Sequence, residues 1–453
     1  MYPPEPLRQL MTRAWLPRRE EAAVPHPASA ARRERRQRLA AAFPGELLVV
    51  PTASVKSRAN DTSYSFRPGT AMTWLAGSQE THAVLVIHPD GHDVLYQLPP
   101  DSREESTWYV SSEGERCEGA RPTLADTAAR LLLEVAPRGD LLALKGRTAR
   151  VVRGTDPDVE ELFVSDPDRD AELLCWIDEA RLVKDDWELE QLQEAVDATV
   201  RGFEDVVREL WQAVATSERW LEGTFFRRAR VEGHDVGYRS ICASGPRACT
   251  VHYTRNDGAV RPGELLLLDM GVENRELYTA DITRTLPVSG VFTDAQRWAY
   301  SLVYEAQEAA LRELRPGVAF DVPYDAAMRV LVAGLVELGL IPGDEVIARD
   351  DMRHRRWTAH RISHMLGLDV HDCAAARDHA YLDGVYQEGM VLTVEPGLYF
   401  AEDDALVPEH LRGMGIRLED DVVVTAEGYR MLSAALPRSA EEIEAWMAEL
   451  VSA

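Results

Sequence analysis

The chain has 453 residues, of which 45% are hydrophobic and 28% are charged. This length predicts two or three domains, and the composition is that of an ordinary globular protein with a sizeable core. Fifty basic residues against 76 acidic ones give a formal net charge of −26. A surface this acidic repels phosphate backbones, so the sequence predicts no nucleic-acid partner.

The five cysteines follow neither a disulfide pattern nor a zinc-ligand spacing. An odd number of cysteines without a CxxC pair favours a reducing compartment. The first residues, MYPPEPLRQLMTRAW, contain no apolar run long enough for a signal peptide or a membrane span. These features predict a soluble cytoplasmic protein without a membrane partner.

Helix and strand patterns alternate in the N-terminal part of the chain. A helical pattern over about 31–45 precedes predicted strands at 47–50, 83–88, 94–98, 141–144 and 161–164. The alternation predicts a smaller α/β domain over residues 1–170. The early helix carries a basic cluster that we predict to be a solvated helix face, namely Arg32, Arg33, Arg35, Arg36 and Arg38.

The longest helical pattern, 171–215, opens a second domain predicted to span 171–453. Thr293 and Gln296 fit a capping box ahead of a helix that reaches about Arg315. The β-rich segments of this domain are 265–271, 277–287, 390–400 and 415–425. The fold class predicted for the whole chain is therefore α/β, or α+β.

Four carboxylates lie within or at the ends of these apolar β-rich segments. Asp269 ends the run LLLLD, and Asp281 follows twelve residues later, so that a hairpin would bring both to one face. Glu395 lies in MVLTVEPGLYF, and Glu419 lies in GIRLEDDVVVT two residues after Arg417, on the same face of a strand. Unpaired buried charges cost several kcal/mol each. A pair of divalent metal ions would remove the repulsion between them.

An imidazole completes the candidate ligand set. His360 and His364 would share one face if their segment were helical, but Arg361 shows that this is not the HExxH motif. Oxygen donors with one imidazole suit Mn²⁺, and Zn²⁺ or Co²⁺ are also compatible with them. Taken singly, each carboxylate is more often a strand-end salt bridge than a ligand. Only the joint pattern favours a metal site.

The residues also resemble a known family, the pita-bread metallopeptidases, and within it aminopeptidase P and its relative prolidase. Five blocks between residues 240 and 425 carry the resemblance, and 58–86 is similar to the family's N-terminal domain. The blocks are SGPRACTVHYTRNDGAVRPGELLLLDMG, LYTADITRTLPVSGVFT, HRISHMLGLDVHD, MVLTVEPGLYF and RGMGIRLEDDVVVT. The resemblance implies a pita-bread fold for the C-terminal domain, which would be the catalytic one. The N-terminal domain would serve oligomerisation or substrate access.

The resemblance also implies roles for individual residues. Two metal ions would be held by Asp269, Asp281, His364, Glu395 and Glu419, and Asp281 and Glu419 would bridge them. Glu395 would in addition be the acid–base partner of the attacking hydroxide.

The other implied site residues would contact the substrate. His371 would donate to the substrate carbonyl or to the tetrahedral intermediate. His252 and His360 would line the pocket around the Xaa-Pro bond. Arg417 would position a metal ligand or the proline side of the substrate, and Tyr399 is a candidate for the same pocket.

The activity implied is that of a Xaa-Pro aminopeptidase, a hydrolase that removes the N-terminal residue of a peptide with proline at its second position. The alternatives are a prolidase, which needs a free carboxylate one residue after the bond, and a pita-bread module that binds proteins without catalysis. A homodimer or homotetramer is also implied.

Three departures from the family pattern stand out. Arg361 replaces the usual glycine after His360, and Cys373 and Ala374 replace the usual Val-Gly after the HD pair. The gap between Asp269 and Asp281 is one residue longer than is common, which we interpret as a longer hairpin turn. None of these departures falls on a proposed ligand.

Overall fold

A computed structural model describes residues 4–16, 23–341, 352–377, 380 and 382–452. The chain divides into two compact units, Met1–Ile177 and Asp178–Ala453. This division falls inside the helix Pro167–Arg181, which also contains the boundary predicted at residue 170.

The first unit is built on a five-stranded mixed sheet in the order β6-β5-β4-β1-β7. Strand β4 pairs antiparallel with β1 on one side and with β5 on the other. At the two edges of the sheet, β6 pairs in parallel with β5, and β7 pairs in parallel with β1. Val49, Val84, Val86 and Val151 pack in the core on this sheet. The strands of the unit, including the separate hairpin β2–β3, are β1 (Leu48–Pro51), β2 (Ser57–Ala59), β3 (Thr62–Ser63), β4 (Val84–Ile87), β5 (Asp93–Gln97), β6 (Glu134–Pro137) and β7 (Arg150–Val151).

Helices connect these strands. They are α1 (Glu5–Met11), α2 (Ser29–Ala42), α3 (Thr70–Leu75), α4 (Thr107–Val110), α5 (Glu115–Glu118), α6 (Leu124–Leu131), α7 (Pro157–Glu160) and α8 (Pro167–Arg181), with a 3₁₀ segment at Arg138–Leu144. The strand predicted at 141–144 was therefore wrong, because a short buried apolar run does not separate strand from helix. At 161–164 there is only an isolated parallel bridge from Val164 to Thr148.

The basic cluster of α2 is a solvated face only at Arg33 and Arg38, which are exposed. Arg32, Arg35 and Arg36 are buried. Arg36 donates to Asp93 at 2.6 Å and to the Leu75 carbonyl at 2.8 Å. Arg35 donates to the Trp74 carbonyl, and its guanidinium lies 4.8 Å from the centre of the Trp74 ring. At these three positions the prediction failed because long arginine stems pack well against apolar surface when their heads find acceptors.

The second unit contains several small antiparallel sheets. Two are three-stranded, with orders β12-β10-β9 and β13-β16-β17, and two are the pairs β14–β15 and β8–β11. Its strands are β8 (Asp235–Val236), β9 (Ile241–Ser244), β10 (Leu265–Met270), β11 (Val272–Glu273), β12 (Ile282–Pro287), β13 (Val391–Val394), β14 (Gly397–Phe400), β15 (Met414–Arg417), β16 (Asp420–Thr425) and β17 (Gly428–Met431). An isolated bridge between Thr283 and Glu419 joins the two three-stranded sheets.

The helices of this unit are α9 (Asp186–Arg208), α10 (Leu210–Ala215), α11 (Glu218–Glu232), α12 (Asp294–Leu311), α13 (Val322–Glu337) and α14 (Ala440–Ser452). The pattern predicted as one helix over 171–215 is three helices, because Asp185 starts a new one with a capping box. The capping box of Thr293 and Gln296 is confirmed. Both β-rich segments of the last third divide in two, and Glu395 and Glu419 lie at the divisions.

All five cysteines are free thiols. Among the helices of the described residues, none combines the length and the apolar character needed to cross a bilayer.

Candidate metal centre

Three predicted ligands meet where the two three-stranded sheets join. Asp281 immediately precedes β12, Glu419 immediately precedes β16, and His364 lies in a loop beside β13. Each offers one ligand atom, and these atoms all lie within 4.8 Å of one another. His364 Nε2 is 3.3 Å from Asp281 Oδ2. His360 and His364 do not share a helical face, because their segment is a loop.

The tautomer of His364 suits a metal ligand. Its Nδ1 lies 3.0 Å from the Met365 carbonyl oxygen, so Nδ1 carries the proton and donates it. Nε2 faces the carboxylates of Asp281 and Glu395, at 3.3 and 3.5 Å, and without a metal it donates a proton toward Asp281. A cation placed among these oxygens would find a nitrogen ligand already oriented toward it.

The remaining two predicted ligands border this group. Glu395 follows β13, and its Oε1 is the atom near His364. Asp269, on β10, is paired with Thr283 across the sheet in register. The Tyr238 hydroxyl donates to Asp269 Oδ1 at 2.7 Å, and Arg417 Nη2 donates to Asp269 Oδ2.

The electrostatics of the cluster favour a bound cation. Burial raises the pKa of Glu419 well above its usual value, and the charges of Asp281, Glu395 and Asp269 raise it further. Burial likewise raises the pKa of Asp269. Burial also raises the pKa of Glu395 to about 7, although His364 and Arg417 oppose the shift.

The pKa of the imidazole is raised as well, but by neighbouring charges and not by burial. Burial lowers the pKa of His364, but Asp281 and Glu395 outweigh that effect and raise it to about 9. Without a metal, the carboxylates of Asp269, Glu395 and Glu419 and the imidazole of His364 therefore bind protons more readily than free side chains do. Divalent ions held by these four carboxylates and one neutral imidazole would replace those protons, so the residues present fit a metal centre.

Three predicted substrate-binding residues form a hydrogen-bonded chain beside the ligands. Arg417 Nη1 donates to the Tyr399 hydroxyl at 3.0 Å, and that hydroxyl lies 2.7 Å from His360 Nε2. His360 Nδ1 lies 2.6 Å from the Arg361 carbonyl, so Nδ1 donates and Nε2 accepts from Tyr399. Burial, followed by the charge of Arg417, lowers the pKa of His360 to about 4. His360 is thus a neutral imidazole at physiological pH.

Two further histidines lie close to this chain. The rings of His371 and His364 meet edge to face with centroids 4.5 Å apart. His371 is exposed, and partial burial together with the charge of His364 lowers its pKa. His252 is exposed, and it lies near enough to His360 and His371 to lower the pKa of both. The structure therefore brings all predicted site residues into one region of the second unit.

Sequence reasoning missed several residues of this region, among them Thr283 and Tyr238. Thr283 Oγ1 donates to Glu419 Oε2 at 2.6 Å and accepts from Arg417 Nε at 3.1 Å. Its position two residues after Asp281 gave a signal, because alternate residues of a strand share a face. Tyr238 gave no comparable signal, since it precedes β9 and is far in sequence from every ligand.

A cavity of about 930 Å³ lies on one side of His360. Its wall includes apolar side chains, among them Phe320, Met328 and Tyr386, and its charged residues include Arg361. Arg361, which departs from the family pattern, is exposed. Cys373, the second departure, is buried at a left-handed φ of 58°.

Comparison with known proteins identifies both units at the level of family. Metallopeptidase family M24 matches residues 190–426, and the aminopeptidase P N-terminal domain matches residues 32–124. The class defined by the fold and the site is therefore that of a metallopeptidase with an additional N-terminal domain.

Individual relatives narrow this class. Xaa-Pro aminopeptidase 1 of Streptomyces coelicolor is 52% identical over 427 residues, which cover 92% of this chain and 86% of the relative. Xaa-Pro aminopeptidase 2 of the same organism is 53% identical over 91% of this chain and 90% of its own length. The structure of aminopeptidase P from E. coli with the inhibitor Pro-Leu superposes with a TM-score of 0.82 at 30% identity, over 94% of this chain and 100% of that one. The chain belongs to the aminopeptidase P group of metallopeptidase family M24, which confirms the predicted family and its pita-bread fold.

Proposed function

We propose that this protein is a Xaa-Pro aminopeptidase, a metal-dependent hydrolase that removes the N-terminal residue from peptides of three or more residues with proline at the second position. The observation that carries the proposal is the cluster of three buried carboxylates, Asp269, Asp281 and Glu419, with the half-buried His364 and Glu395 beside them, at the positions where the resemblance implies metal ligands. The names of the relatives at 52% and 53% identity support the same activity.

These five residues would hold the metal ions, and the oxygen-rich donor set supports Mn²⁺ as the native metal. The chemistry that two bound divalent ions supply in such a site is activation of a water and polarisation of the scissile carbonyl. One solved relative, from E. coli, is a zinc-substituted form in complex with product, and it superposes with a TM-score of 0.83.

Glu395 is the residue that we assign to proton transfer. Its carboxylate lies at the edge of the ligand cluster, 3.5 Å from His364 Nε2 and 3.4 Å from His360 Nδ1. From this position it can take a proton from the attacking water and return it toward the proline nitrogen, which must be protonated as it leaves.

Because the pKa values of His360 and His371 are lowered, these two imidazoles would supply hydrogen bonds rather than charge. The ring of His371 packs against that of His364, and from there it would donate to the carbonyl oxygen as negative charge develops on it. His252 and His360 would flank the proline ring. Arg417 holds the Tyr399 hydroxyl and the Asp269 carboxylate, so it fixes a pocket residue and a metal ligand together.

Proline explains why such a site is useful. A peptide bond to proline has no N–H, and its ring hinders entry into ordinary protease clefts. A pocket with uncharged ring nitrogens and a tyrosine accepts the ring without demanding a donor from the substrate.

The further partners and the location belong to the proposal as well. Five free cysteines support a reducing, cytoplasmic location. The net charge of −26 supports the absence of a nucleic-acid partner. A homodimer or homotetramer follows from the resemblance, and light scattering after gel filtration would measure it.

The test is hydrolysis of a Xaa-Pro dipeptide beside a Xaa-Pro-Xaa tripeptide, with Mn²⁺ added and again after chelation. We expect the tripeptide to be cleaved only with metal and the dipeptide to be slow or inert. Cleavage of the dipeptide alone would make the protein a prolidase. No cleavage of either by metal-loaded protein would overturn the peptidase function in favour of a binding module.

A further inference from the structure

His371 lies in a loop over residues 365–372, and hydrogen bonds of Asp372 join the two ends of this loop. The Asp372 N–H donates to the Met365 carbonyl at 2.9 Å, and the Asp369 N–H donates to Asp372 Oδ1 at 3.3 Å. The Thr279 N–H donates to the Gly367 carbonyl at 3.0 Å, which ties the loop to the strand segment before Asp281. The backbone of His371 is thus fixed directly by its neighbour Asp372.

Asp372 is in turn held by two buried cations. Lys184 Nζ donates to Asp372 Oδ2 at 3.0 Å, and Arg181 Nη2 donates to Asp372 Oδ1. The side chains of Lys184 and Asp372 are each 1% exposed, and that of Arg181 is 4% exposed. Arg181 also donates to Asp178 Oδ1 at 2.9 Å, so two cations face two buried carboxylates.

The charges of the cluster sustain one another. Burial alone would raise the pKa of Asp372, but Arg181 and Lys184 outweigh burial and lower it. Burial opposes the charge on Lys184, yet Asp372 raises the pKa of Lys184 overall. Arg181, Lys184 and Asp372 therefore stay ionised. Each must keep its place, because an unpaired buried charge is costly.

A glycine makes room for this arrangement. A Cβ atom at Gly367 would lie 2.3 Å from Asp372 Oδ2 and 3.1 Å from Lys184 Cε. The carboxylate therefore sits directly against the loop backbone that begins beside His364 and ends at His371.

A buried ion cluster is weak evidence of a role in stability, since packed apolar side chains of the same volume are often as stabilising. The cluster instead fixes the orientation of the loop, because its hydrogen bonds hold the backbone around Asp372 in one geometry. We propose that Arg181, Lys184 and Asp372 form the positioning device for His371, so that the ring meets the substrate carbonyl; this rests on the role proposed for His371 above.

A double-mutant cycle tests the proposal. Lys184→Met should lower kcat on a Xaa-Pro-Xaa tripeptide by about 10²-fold, because small displacements of a positioned group have effects of that size. In a His371→Ala background the same substitution should change kcat by less than about twofold, since its target is already absent. An equal loss in both backgrounds would overturn the proposal.

Controls separate positioning from folding and metal binding. Lys184→Arg should restore most of kcat, and Lys145→Met, at an exposed lysine, should leave it unchanged. Metal content per chain should stay at the wild-type level in Lys184→Met. A fall in metal content with normal kcat per bound metal would place the effect at His364 and overturn the proposal.

A second variant and a spectroscopic measurement remain if Lys184→Met does not fold. Gly367→Ala displaces the Asp372 carboxylate without removing a charge. It should lower kcat in the wild-type background and leave kcat almost unchanged in the His371→Ala background. In protein with ¹⁵N-labelled histidine, Gly367→Ala and Lys184→Met should shift the ring signals of His371 but not those of exposed His410.

The ring signals of His371 can be measured whether or not the protein cleaves a peptide. If the wild-type protein cleaved no Xaa-Pro substrate, the proposed function would fail while the ring signals still decided the positioning role. Unchanged His371 signals in a folded variant would overturn the positioning role alone.

Discussion

Thr283 donates a hydrogen bond of 2.6 Å from its hydroxyl to Oε2 of Glu419. The same two residues meet through the backbone, where the Glu419 N–H donates to the Thr283 carbonyl at 3.1 Å. Because Thr283 also accepts from Arg417, it fixes the orientation of a predicted metal ligand and of a predicted substrate-binding residue. The Thr283 side chain is thus one of the contacts that hold the junction of the two sheets.

Thr283→Val removes the hydroxyl and keeps the shape of the side chain. We expect metal affinity or kcat/KM to fall by about 10- to 100-fold, because the partners that orient metal ligands are commonly worth that much. Metal retained after dialysis and kcat/KM on a tripeptide would measure it. Thr283→Ser, which keeps the hydroxyl, is the matched control, and wild-type affinity and activity in the valine variant would contradict the role.

Glu419→Ala should abolish turnover, because it removes a predicted bridging ligand from a site whose chemistry depends on bound metal. Elemental analysis should show less metal bound per chain than in the wild type. Glu427→Ala, at an exposed glutamate in the following turn, should be indistinguishable from wild type. Full turnover in Glu419→Ala under controlled metal would refute the ligand assignment.

Stability should depend on pH through His360. Its pKa is lowered to about 4 in the folded protein by burial and then by Arg417, against a usual value of 6.5. The unfolded chain therefore binds more protons between these values, and stability is lost as the pH falls from about 6.5 toward 4. The side chain is 19% exposed. We expect a contribution of about 2 to 3 kcal/mol.

Denaturant unfolding at several pH values would measure this contribution. The wild type should lose more free energy of unfolding between pH 6.5 and pH 4.5 than the His360→Gln variant does. Equal losses in the two proteins would show that His360 is not held neutral by the fold.

Arg361 should affect the choice of substrate. It is exposed and lines the cavity beside His360, so its charge should favour peptides with an acidic third residue over a basic one. Arg361→Gly should reduce the ratio of kcat/KM for Ala-Pro-Asp over Ala-Pro-Lys by about two- to fivefold, the range of an exposed ion pair. The difference should shrink with added salt, and Arg361→Lys should retain it. An unchanged ratio in the glycine variant would exclude this role.

Sequence patterns predicted correctly those parts of the fold in which the contacting residues are close together in the chain. The hairpin of β4 and β5 and the capping box of Thr293 and Gln296 were predicted correctly because turn and cap residues act over a few positions. The apolar run 141–144 was misjudged because burial alone does not select a strand. Its 3₁₀ geometry depends on packing against the sheet.

The same distinction applies to the site. The sequence by itself determined the family and the set of candidate ligands, since carboxylates within apolar strands and a matching set of five blocks are visible without a structure. Only the tertiary structure decided which distant groups meet: Tyr238 with Asp269, Thr283 with Glu419, and Lys184 with Asp372. Each of these contacts joins residues separated by 31 to 188 positions. Apart from the strand alternation that puts Thr283 on the face of Asp281, these side chains carry no local signal of their partners, because the pairing is set by how strands and loops pack.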